Sequence, residues 1–427
     1  MSLNRKIQPE FSVVEKLNMI QASEKRLDNN LPVYLIDASE QEVIKIDFIF
    51  DAGIWQQKEP LIASSANSLL NEGTKSFTSE QIAKTLDYYG AYIGLDTDRN
   101  HAVISLYTLN KYLDQTLNVI EEIIKYPSYP QNELDIYLQK RKQNFIIDFS
   151  KVETIARLRF NEAIFGSKHP YGAFSLAEDF DHVQRSSIVG FQQEWYGYEN
   201  CYIIASGKVS GDLMKQLNER FGKQNWNKGN VLSRQDEQIQ ANANKKLYYE
   251  KADAQQNAIR IGKTTILRNH PDYSNLCVAN TILGGYFGSR LMSNIREEKG
   301  YTYGIYSMLV PLRYSSIFLI SSQVGSEVCE DAIREIKKEI EILRNELVDE
   351  EELSIVSNYM LGDMLRSFDG PFAMADRFKS IKESGLGYDH YERLFQTIKN
   401  STPETVKNAC SAYLSVDSMH EVVAGII

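Results

Sequence analysis

An internal repeat is the feature that most constrains the fold of this chain. In the first half, the strand-like run Val43–Phe50 precedes helical segments, the second of which stops at Gly90. The second half repeats this order with a strand-like run at 258–264, helical segments and a stop at Gly300, about 210 residues further on. Because strands and helices are interleaved in both halves, we predict two homologous α+β domains of similar topology, each a mainly antiparallel sheet packed with helices.

Each half also contains a pair of strand candidates and a long helix with an apolar stripe. The strand pairs are 92–96 with 102–109 and 303–306 with 317–324. The stripes consist of Leu113, Leu117, Ile120 and Ile124 in the first half and of Ile336, Ile340, Leu343 and Leu347 in the second. Both halves are predicted to end alike, with a helix and then a strand in 186–208 and in 402–427.

The length of the chain supports the same division. A chain of 427 residues is longer than one hydrophobic core usually serves. We predict an N-terminal domain at residues 1–225, a linker at 226–246 and a C-terminal domain at 247–427. The predicted linker is rich in Asn, Gln and charged residues and has little periodicity, which is typical of an exposed connection.

Composition excludes several classes of partner. The net charge of −10 argues against nucleic acid, whose phosphates need clustered Lys and Arg. The four cysteines are far apart and form no CxxC pair, so neither a zinc knuckle nor a disulfide framework is predicted. The N-terminus lacks the apolar core of a signal peptide, and no run reaches membrane-spanning length. We therefore expect a cytoplasmic protein with no membrane partner.

The segment 283–306 combines a helix end with two chemically useful side chains. Its sequence, LGGYFGSRLMSNIREEKGYTYGIY, predicts a short helix with Ser289 as its N-cap and Gly300 as its stop, followed by a strand. Arg296 then lies near the helix end, and Tyr303 lies on the strand. A guanidinium and a phenol that converge there suit a peptide carbonyl or the oxyanion that forms during hydrolysis. In the alternative interpretation, Arg296 only forms a surface ion pair and Tyr303 only packs.

The same segment resembles the second-half signature of the pitrilysin or insulinase-like zinc metallopeptidases, in the branch of the mitochondrial processing peptidases. A glycine pair, a small-residue turn, SRL, and an arginine and a tyrosine seven residues apart are all present. The resemblance implies that Arg296 and Tyr303 act on substrate, with Gly284, Gly285 and Tyr301 in substrate binding. It also implies that the two halves clasp around a cleft.

The zinc site of that family is missing from this chain. Active members carry HxxEH on the first-half helix just ahead of a Gly-Thr, and a glutamate ligand further along. Counting back from Gly73 puts Ser64 and Ser68 where the two histidines belong and Asn67 where the general base belongs. Where the distal glutamate is expected the chain has 142–145, KQNF. We therefore predict no metal or other cofactor on this chain.

Two functions remain open from the sequence. In the first, the chain is the non-metal-binding subunit of a heterodimer, in which an HxxEH-containing homologue holds zinc and Arg296 and Tyr303 contact an extended peptide substrate. In the second, the chain is a catalytically inert scaffold or peptide-binding protein of the same fold. A pure scaffold has no catalytic reason to keep the Arg/Tyr pair. A homodimeric peptidase is rejected because neither copy would carry metal.

Overall fold

The structure is a computed structural model that describes residues 14–223, 226–231 and 237–426. Its strands are β1 (Ser23–Arg26), β2 (Pro32–Asp37), β3 (Val43–Phe50), β4 (Tyr92–Thr97), β5 (Ala102–Leu109), β6 (Cys201–Gly207), β7 (Lys246–Glu250), β8 (Asn257–Thr264), β9 (Ile305–Pro311), β10 (Ser316–Val324) and β11 (His420–Gly425). The helices before β7 are α1 (Ile62–Ser68), α2 (Ser79–Tyr89), α3 (Leu113–Lys125), α4 (Gln131–Phe149), α5 (Val152–Phe165), α6 (Asp179–His182), α7 (Arg185–Trp195) and α8 (Leu213–Phe221). The helices after β8 are α9 (Tyr273–Asn280), α10 (Cys329–Asn345), α11 (Glu350–Arg366), α12 (Pro371–Glu383), α13 (Asp389–Lys399) and α14 (Pro403–Tyr413). Thr281–Gly285 and Met292–Glu298 are π-helical.

The two sheets share one strand order, which confirms the predicted α+β fold. The first sheet has the order β1-β2-β6-β3-β5-β4, and the second has the order β7-β11-β8-β10-β9. In each sheet one pair of neighbouring strands is parallel, β2 with β6 and β7 with β11, and all other pairs are antiparallel. The second sheet therefore repeats the first without a counterpart of β1, and β4 and β9 are the corresponding edge strands.

Local sequence signals account for much of the first half. Thr78 and Gln81 form a capping box at the start of α2, since the Thr78 hydroxyl accepts from the Gln81 backbone N–H and the Gln81 side chain accepts from the Thr78 N–H. Gly90 ends that helix with a φ of 60°, a left-handed conformation that favours glycine. The alternating residues Ile44, Ile46, Phe48 and Phe50 of β3 are fully buried against the helices of the first half.

Each half contributes one helix that packs on the sheet of the other half. α5 of the first half packs on β8 and β11 of the second sheet, where Phe160 contacts the apolar cluster around Ile317 and Val422. α12 of the second half packs on β2 and β6 of the first sheet, where Ala375 joins a cluster with Ile36 and Ile204. Each sheet thus buries one face under a helix from the other half, and this contact holds the two repeats together.

Three local predictions were wrong. Leu347 lies beyond the end of α10 and is 54% exposed, so it does not continue the apolar stripe. Ser289 is buried, but its hydroxyl makes no hydrogen bond in the described structure and does not cap the helix. Tyr303 precedes its strand, because the ladder with β10 begins only at the pair Ile305 and Ser322.

The predicted boundary at residue 225 lies outside the described residues, and the domain limits stay a prediction. Trp226, the first residue of the predicted linker, is buried and donates its indole N–H to the Phe221 carbonyl oxygen at 3.2 Å. Further along, the Gln240 backbone N–H donates to Phe165 at 3.0 Å, so this part of the segment is attached to α5. Among the described helices, none combines the length and the apolar character needed to cross a membrane.

Candidate functional site

The residues at the family's zinc positions lie on α1 and serve the fold instead. Asn67, which stands at the position of the general base, is fully buried. Its side-chain amide donates to the Asp96 carbonyl oxygen of edge strand β4 at 2.8 Å, and its oxygen accepts from the Tyr196 phenol at 3.2 Å. Burial raises the pKa of Tyr196, so this phenol stays protonated and donates. Asn67 therefore ties α1 to the first sheet and to the end of α7.

A guanidinium lies beside Ser64, at the position of the first family histidine. Arg141 reaches from α4 and donates to the Ser64 hydroxyl at 3.1 Å and to the Tyr137 phenol at 2.6 Å. Its charge also lies over the Tyr137 ring, 5.4 Å from the centroid. Lys142, in the stretch 142–145 where the distal glutamate is expected, pairs with Asp181 at 2.5 Å.

These side chains do not fit a zinc ion. Serine hydroxyls and an asparagine amide are poor substitutes for imidazole and carboxylate, and the Arg141 charge repels a cation. Asn67 cannot act as a base because its amide does not ionise near neutral pH. The predicted loss of the family's zinc chemistry is therefore consistent with the contacts on α1 and α4.

The Arg/Tyr segment has an unusual backbone that positions its side chains. Within Met292–Glu298 the turns are π-helical, and the Lys299 backbone N–H donates to the Asn294 carbonyl oxygen at 3.0 Å. Gly300 follows with a φ of 66°, and the Tyr301 N–H closes the turn on Ile295 at 3.0 Å. The Asn294 side chain anchors the segment to α10 through two glutamates, Glu335 at 3.1 Å and Glu339 at 2.6 Å.

Arg296 lies over an exposed aromatic ring on this surface. Its guanidinium is 4.6 Å from the centroid of Phe287, whose side chain belongs to the preceding turn and is 66% exposed. Arg296 is also 3.6 Å from the Glu297 carboxylate, which agrees with the surface ion pair of the alternative interpretation. About one third of the Arg296 side chain stays exposed, so its remaining N–H donors face solvent.

Tyr303 disagrees with that alternative interpretation, because it does not pack. It is 94% exposed, and its phenol makes no hydrogen bond or ring contact with any described residue. The neighbouring Thr302 hydroxyl explains this position, since it donates toward the carbonyl oxygens of Gln323 at 2.7 Å and Gly304 at 2.9 Å. Thr302 thereby attaches the loop to β10, and Tyr303 projects away from the sheet.

The three residues assigned to substrate binding have different surroundings. Gly284 is buried, and a Cβ there would lie 2.6 Å from the Ser307 backbone nitrogen, so glycine is required by the close approach of β9. Gly285 is exposed and has more space, with its nearest neighbour atoms 3.3 Å from an added Cβ. Tyr301 is half-buried and packs against the second-half core. Of these three, only Gly285 offers an open backbone surface.

Two residues were not predicted from the sequence, one beside Arg296 and one beside Ser64. Phe287 was visible in the signature string, but it lies nine residues before Arg296, so local spacing did not suggest their cation–π pair. Arg141 was not detectable, because its contact with Ser64 joins helices that are 77 residues apart in the chain.

Comparisons with known proteins show what this chain is similar to. Residues 182–360 match the family described as "Peptidase M16 inactive domain". The chain is 21% identical over 304 residues to the "Uncharacterized zinc protease YmxG" of Bacillus subtilis, covering 70% of this chain and 72% of that protein. It is 23% identical over 243 residues to the "Non-peptidase homolog YmxG" of Helicobacter pylori, covering 56% of this chain and 55% of that protein.

Two solved structures have the same fold. One is a crystal structure of a peptidase M16 inactive domain from Pseudomonas fluorescens, with a TM-score of 0.86, 25% identity, and coverage of 95% of this chain and 98% of that chain. The other is a protease from Helicobacter pylori, with a TM-score of 0.86, 16% identity, and coverage of 96% and 100%. Fold and site together define a protein of the M16 inactive-domain type. Over residues 182–360 and in its fold, the chain is similar to the M16 proteins, the pitrilysin/insulinase-like zinc metallopeptidases, and its sequence contains no HxxEH motif.

Proposed function

We propose that this chain is the non-metal-binding subunit of a heteromeric zinc metallopeptidase. It binds an extended peptide and contributes Arg296 and Tyr303 to the active site of an HxxEH-containing partner. The single observation that carries the proposal is the exposure of Tyr303, because a phenol 94% exposed and without a described partner has no packing role that would retain it. An Arg296 guanidinium stacked on the exposed Phe287 ring supplies a second donor on the same segment.

The chemistry needed from this chain is electrostatic. When the partner's zinc is bound, it activates water and polarises the scissile carbonyl. Arg296 and Tyr303 donate hydrogen bonds to a carbonyl of the bound peptide, and these bonds strengthen as negative charge develops on the oxygen. The chain itself transfers no proton through Ser64, Asn67 or Ser68, which supply no ionisable group.

The edge strands support the binding of an extended peptide. β9 is the outer strand of the second sheet and begins two residues after Tyr303, and β4 is the outer strand of the first sheet. No described strand pairs with the outer edge of either one. A peptide that adds to such an edge gains backbone hydrogen bonds, while its side chains contact the surface around Phe287.

Reconstitution with the HxxEH-containing homologue from the same organism tests the proposal. We expect Tyr303→Phe and Arg296→Ala each to lower peptide hydrolysis roughly 100-fold or more, mainly in kcat, because the lost donors act in the transition state. Matched controls are Tyr88→Phe, at a tyrosine 82% exposed in the first half, and Arg366→Ala, at an exposed arginine paired with Asp363. Both controls should leave turnover unchanged.

One observation favours the alternative function of an inert scaffold or peptide-binding protein. Arg296 already has an acidic neighbour in Glu297, as expected for a surface residue without a catalytic role. If the complex assembles with both variants and turnover is unaltered, the scaffold function replaces the proposed one. If peptide binds but no complex with an HxxEH chain forms at micromolar concentration, the heteromeric proposal is wrong.

A further inference from the structure

A buried histidine lies among three carboxylates at the junction of the two halves. His101 ends the β4–β5 turn, and its side chain is only 4% exposed. Its Nε2 is 3.3 Å from Asp51, which follows β3. Its Nδ1 is 3.6 Å from Asp98 of the same turn and 3.3 Å from Glu383, the last residue of α12 in the second half. The imidazole thus faces carboxylates from both halves.

The Nδ1 side of this cluster has the arrangement of a metal site. One ligand atom each from Asp98, His101 and Glu383 lies within 4.8 Å of the other two. Donors bound to zinc in a tetrahedron are about 3.4 Å apart, close to the distances that separate Nδ1 from the two carboxylates. His101 Nδ1 and Glu383 Oε1 are both buried, and neither makes a hydrogen bond in the described structure.

The groups around these three residues would support a bound cation. Asp98 is held in place because one of its oxygens accepts from the backbone N–H groups of Asn100 and His101, both at 2.7 Å. On the other side of the imidazole, Asp51 faces Nε2 and is itself paired with Arg313 at 2.7 Å. A carboxylate that orients a histidine through its second nitrogen is the usual support of a metal-binding imidazole.

Charges of both signs surround the cluster. Asp51, Asp98 and Glu383 carry three negative charges, and the Arg313 pair with Asp51 offsets one of them. Lys379 approaches Glu383 at 3.6 Å. A cavity of about 180 Å³ opens beside Asp98, His101 and Glu383, which is enough space for water to complete a coordination shell. Arg99, Arg268 and Arg313 also line this cavity, and their charges oppose a cation, so binding depends on direct coordination by the three ligand atoms.

We propose that Asp98, His101 and Glu383 bind a divalent transition metal of the zinc class and thereby cross-link the two halves of the chain. One imidazole nitrogen with carboxylate oxygens suits Zn²⁺, whereas Mg²⁺ prefers an all-oxygen shell that retains water. This site is separate from the lost family site at Ser64–Ser68 and does not depend on the proposed peptidase function. Its ligands come from the β4–β5 turn and from α12, so binding stabilises their junction.

A proton is the competing occupant of the imidazole. Burial lowers the pKa of His101, but the carboxylates of Asp51, Asp98 and Glu383 outweigh burial and raise that pKa to about 9. In the metal-free chain the cluster is then an ion-pair network around an imidazolium. A metal ion has to displace this proton, as is general for histidine ligands.

Zinc titration of the full, chelator-treated chain distinguishes a metal-binding cluster from an imidazolium ion-pair network. We expect one Zn²⁺ per chain, bound at micromolar concentration or tighter in competition with a chromophoric chelator, and a rise of several degrees in Tm. Glu383→Gln and His101→Gln should each weaken binding about tenfold or more. His182→Gln, which removes an exposed histidine, is the matched control and should bind as the parent does.

The glutamate variant keeps the test decisive, because Glu383 lies at a helix end and its replacement by glutamine leaves α12 intact. Equal zinc affinity in the parent and in Glu383→Gln, or no Tm shift at millimolar zinc, overturns the proposal and leaves the imidazolium network. An equal Tm rise with Mg²⁺ also overturns it, because that response would show an all-oxygen or nonspecific site.

Discussion

The Arg141 guanidinium donates a hydrogen bond to the Ser64 hydroxyl, with 3.1 Å between Nη1 and Oγ. This contact joins α4 to α1 at the place where the family's metal would be held. The sequence has no HxxEH at Ser64–Ser68, and a fixed positive charge lies beside Ser64. The missing motif and the Arg141 guanidinium both disfavour zinc binding at this place.

Restoring the motif alone is therefore not expected to restore zinc binding. The triple variant Ser64→His, Asn67→Glu and Ser68→His should hold no more zinc than the parent, because Arg141 repels the ion and the distal glutamate is missing. Adding Arg141→Ala and Asn144→Glu should raise the zinc content. Metal analysis of each variant against the parent measures this. Stoichiometric extra zinc in the triple variant would contradict the role given to Arg141.

Asn67 is expected to act in stability. Asn67→Asp removes the donor to the Asp96 carbonyl oxygen and buries a carboxylate, which should lower the free energy of unfolding by about 3 kcal/mol. Ser68→Asp, at the half-buried neighbour on the same helix, is the control and should cost about 1 kcal/mol or less. Denaturant unfolding of both variants tests the difference. If both variants lose the same free energy of unfolding, Asn67 does not have the stabilising role proposed for it.

The two signature glycines should respond differently to alanine. Gly284→Ala places a Cβ 2.6 Å from the Ser307 nitrogen and should cost about 1–3 kcal/mol through displacement of β9. Gly285→Ala meets atoms only at 3.3 Å and should cost less than about 1 kcal/mol. Thermal unfolding measures both. If Gly284→Ala is as stable as the parent but binds peptide poorly, its predicted role in substrate binding is favoured over the structural role.

His390 should make stability depend on pH. Burial and the nearby Arg268 charge lower its pKa from 6.5 to about 4, and its Nε2 accepts from Arg268 at 3.2 Å. Between these two values the unfolded chain binds more protons than the folded chain, so the free energy of unfolding falls as pH falls from 6.5 toward 4.

The variant His390→Gln keeps an acceptor for Arg268 and should show a smaller loss of stability over the same pH window. His182→Gln, at an exposed histidine, should keep the parent's pH dependence. Denaturant midpoints measured at several pH values across the window make this comparison. A parental slope in His390→Gln would assign the pH dependence to other groups.

The sequence was sufficient wherever a local signal decides structure. The Thr78–Gln81 capping box and the Gly90 stop depend on neighbouring residues only, and both were predicted at the right positions. The repeat predicted two sheets of one topology for the same reason, since hydrophobic periodicity reports which face of each element is buried. The absence of HxxEH required only residue identities.

Tertiary structure decided what depends on distant contacts. The sequence placed Tyr303 on a strand, but Thr302 bonds to Gln323 and the ladder starts at Ile305, so Tyr303 lies in an exposed loop. Local sequence could not show that α5 and α12 each cover the sheet of the other half. The His101 cluster arises from that packing, because α12 brings Glu383 to the β4–β5 turn. Local sequence does not determine which distant elements pack together. Long-range packing decides this, and it brought α12 to the β4–β5 turn.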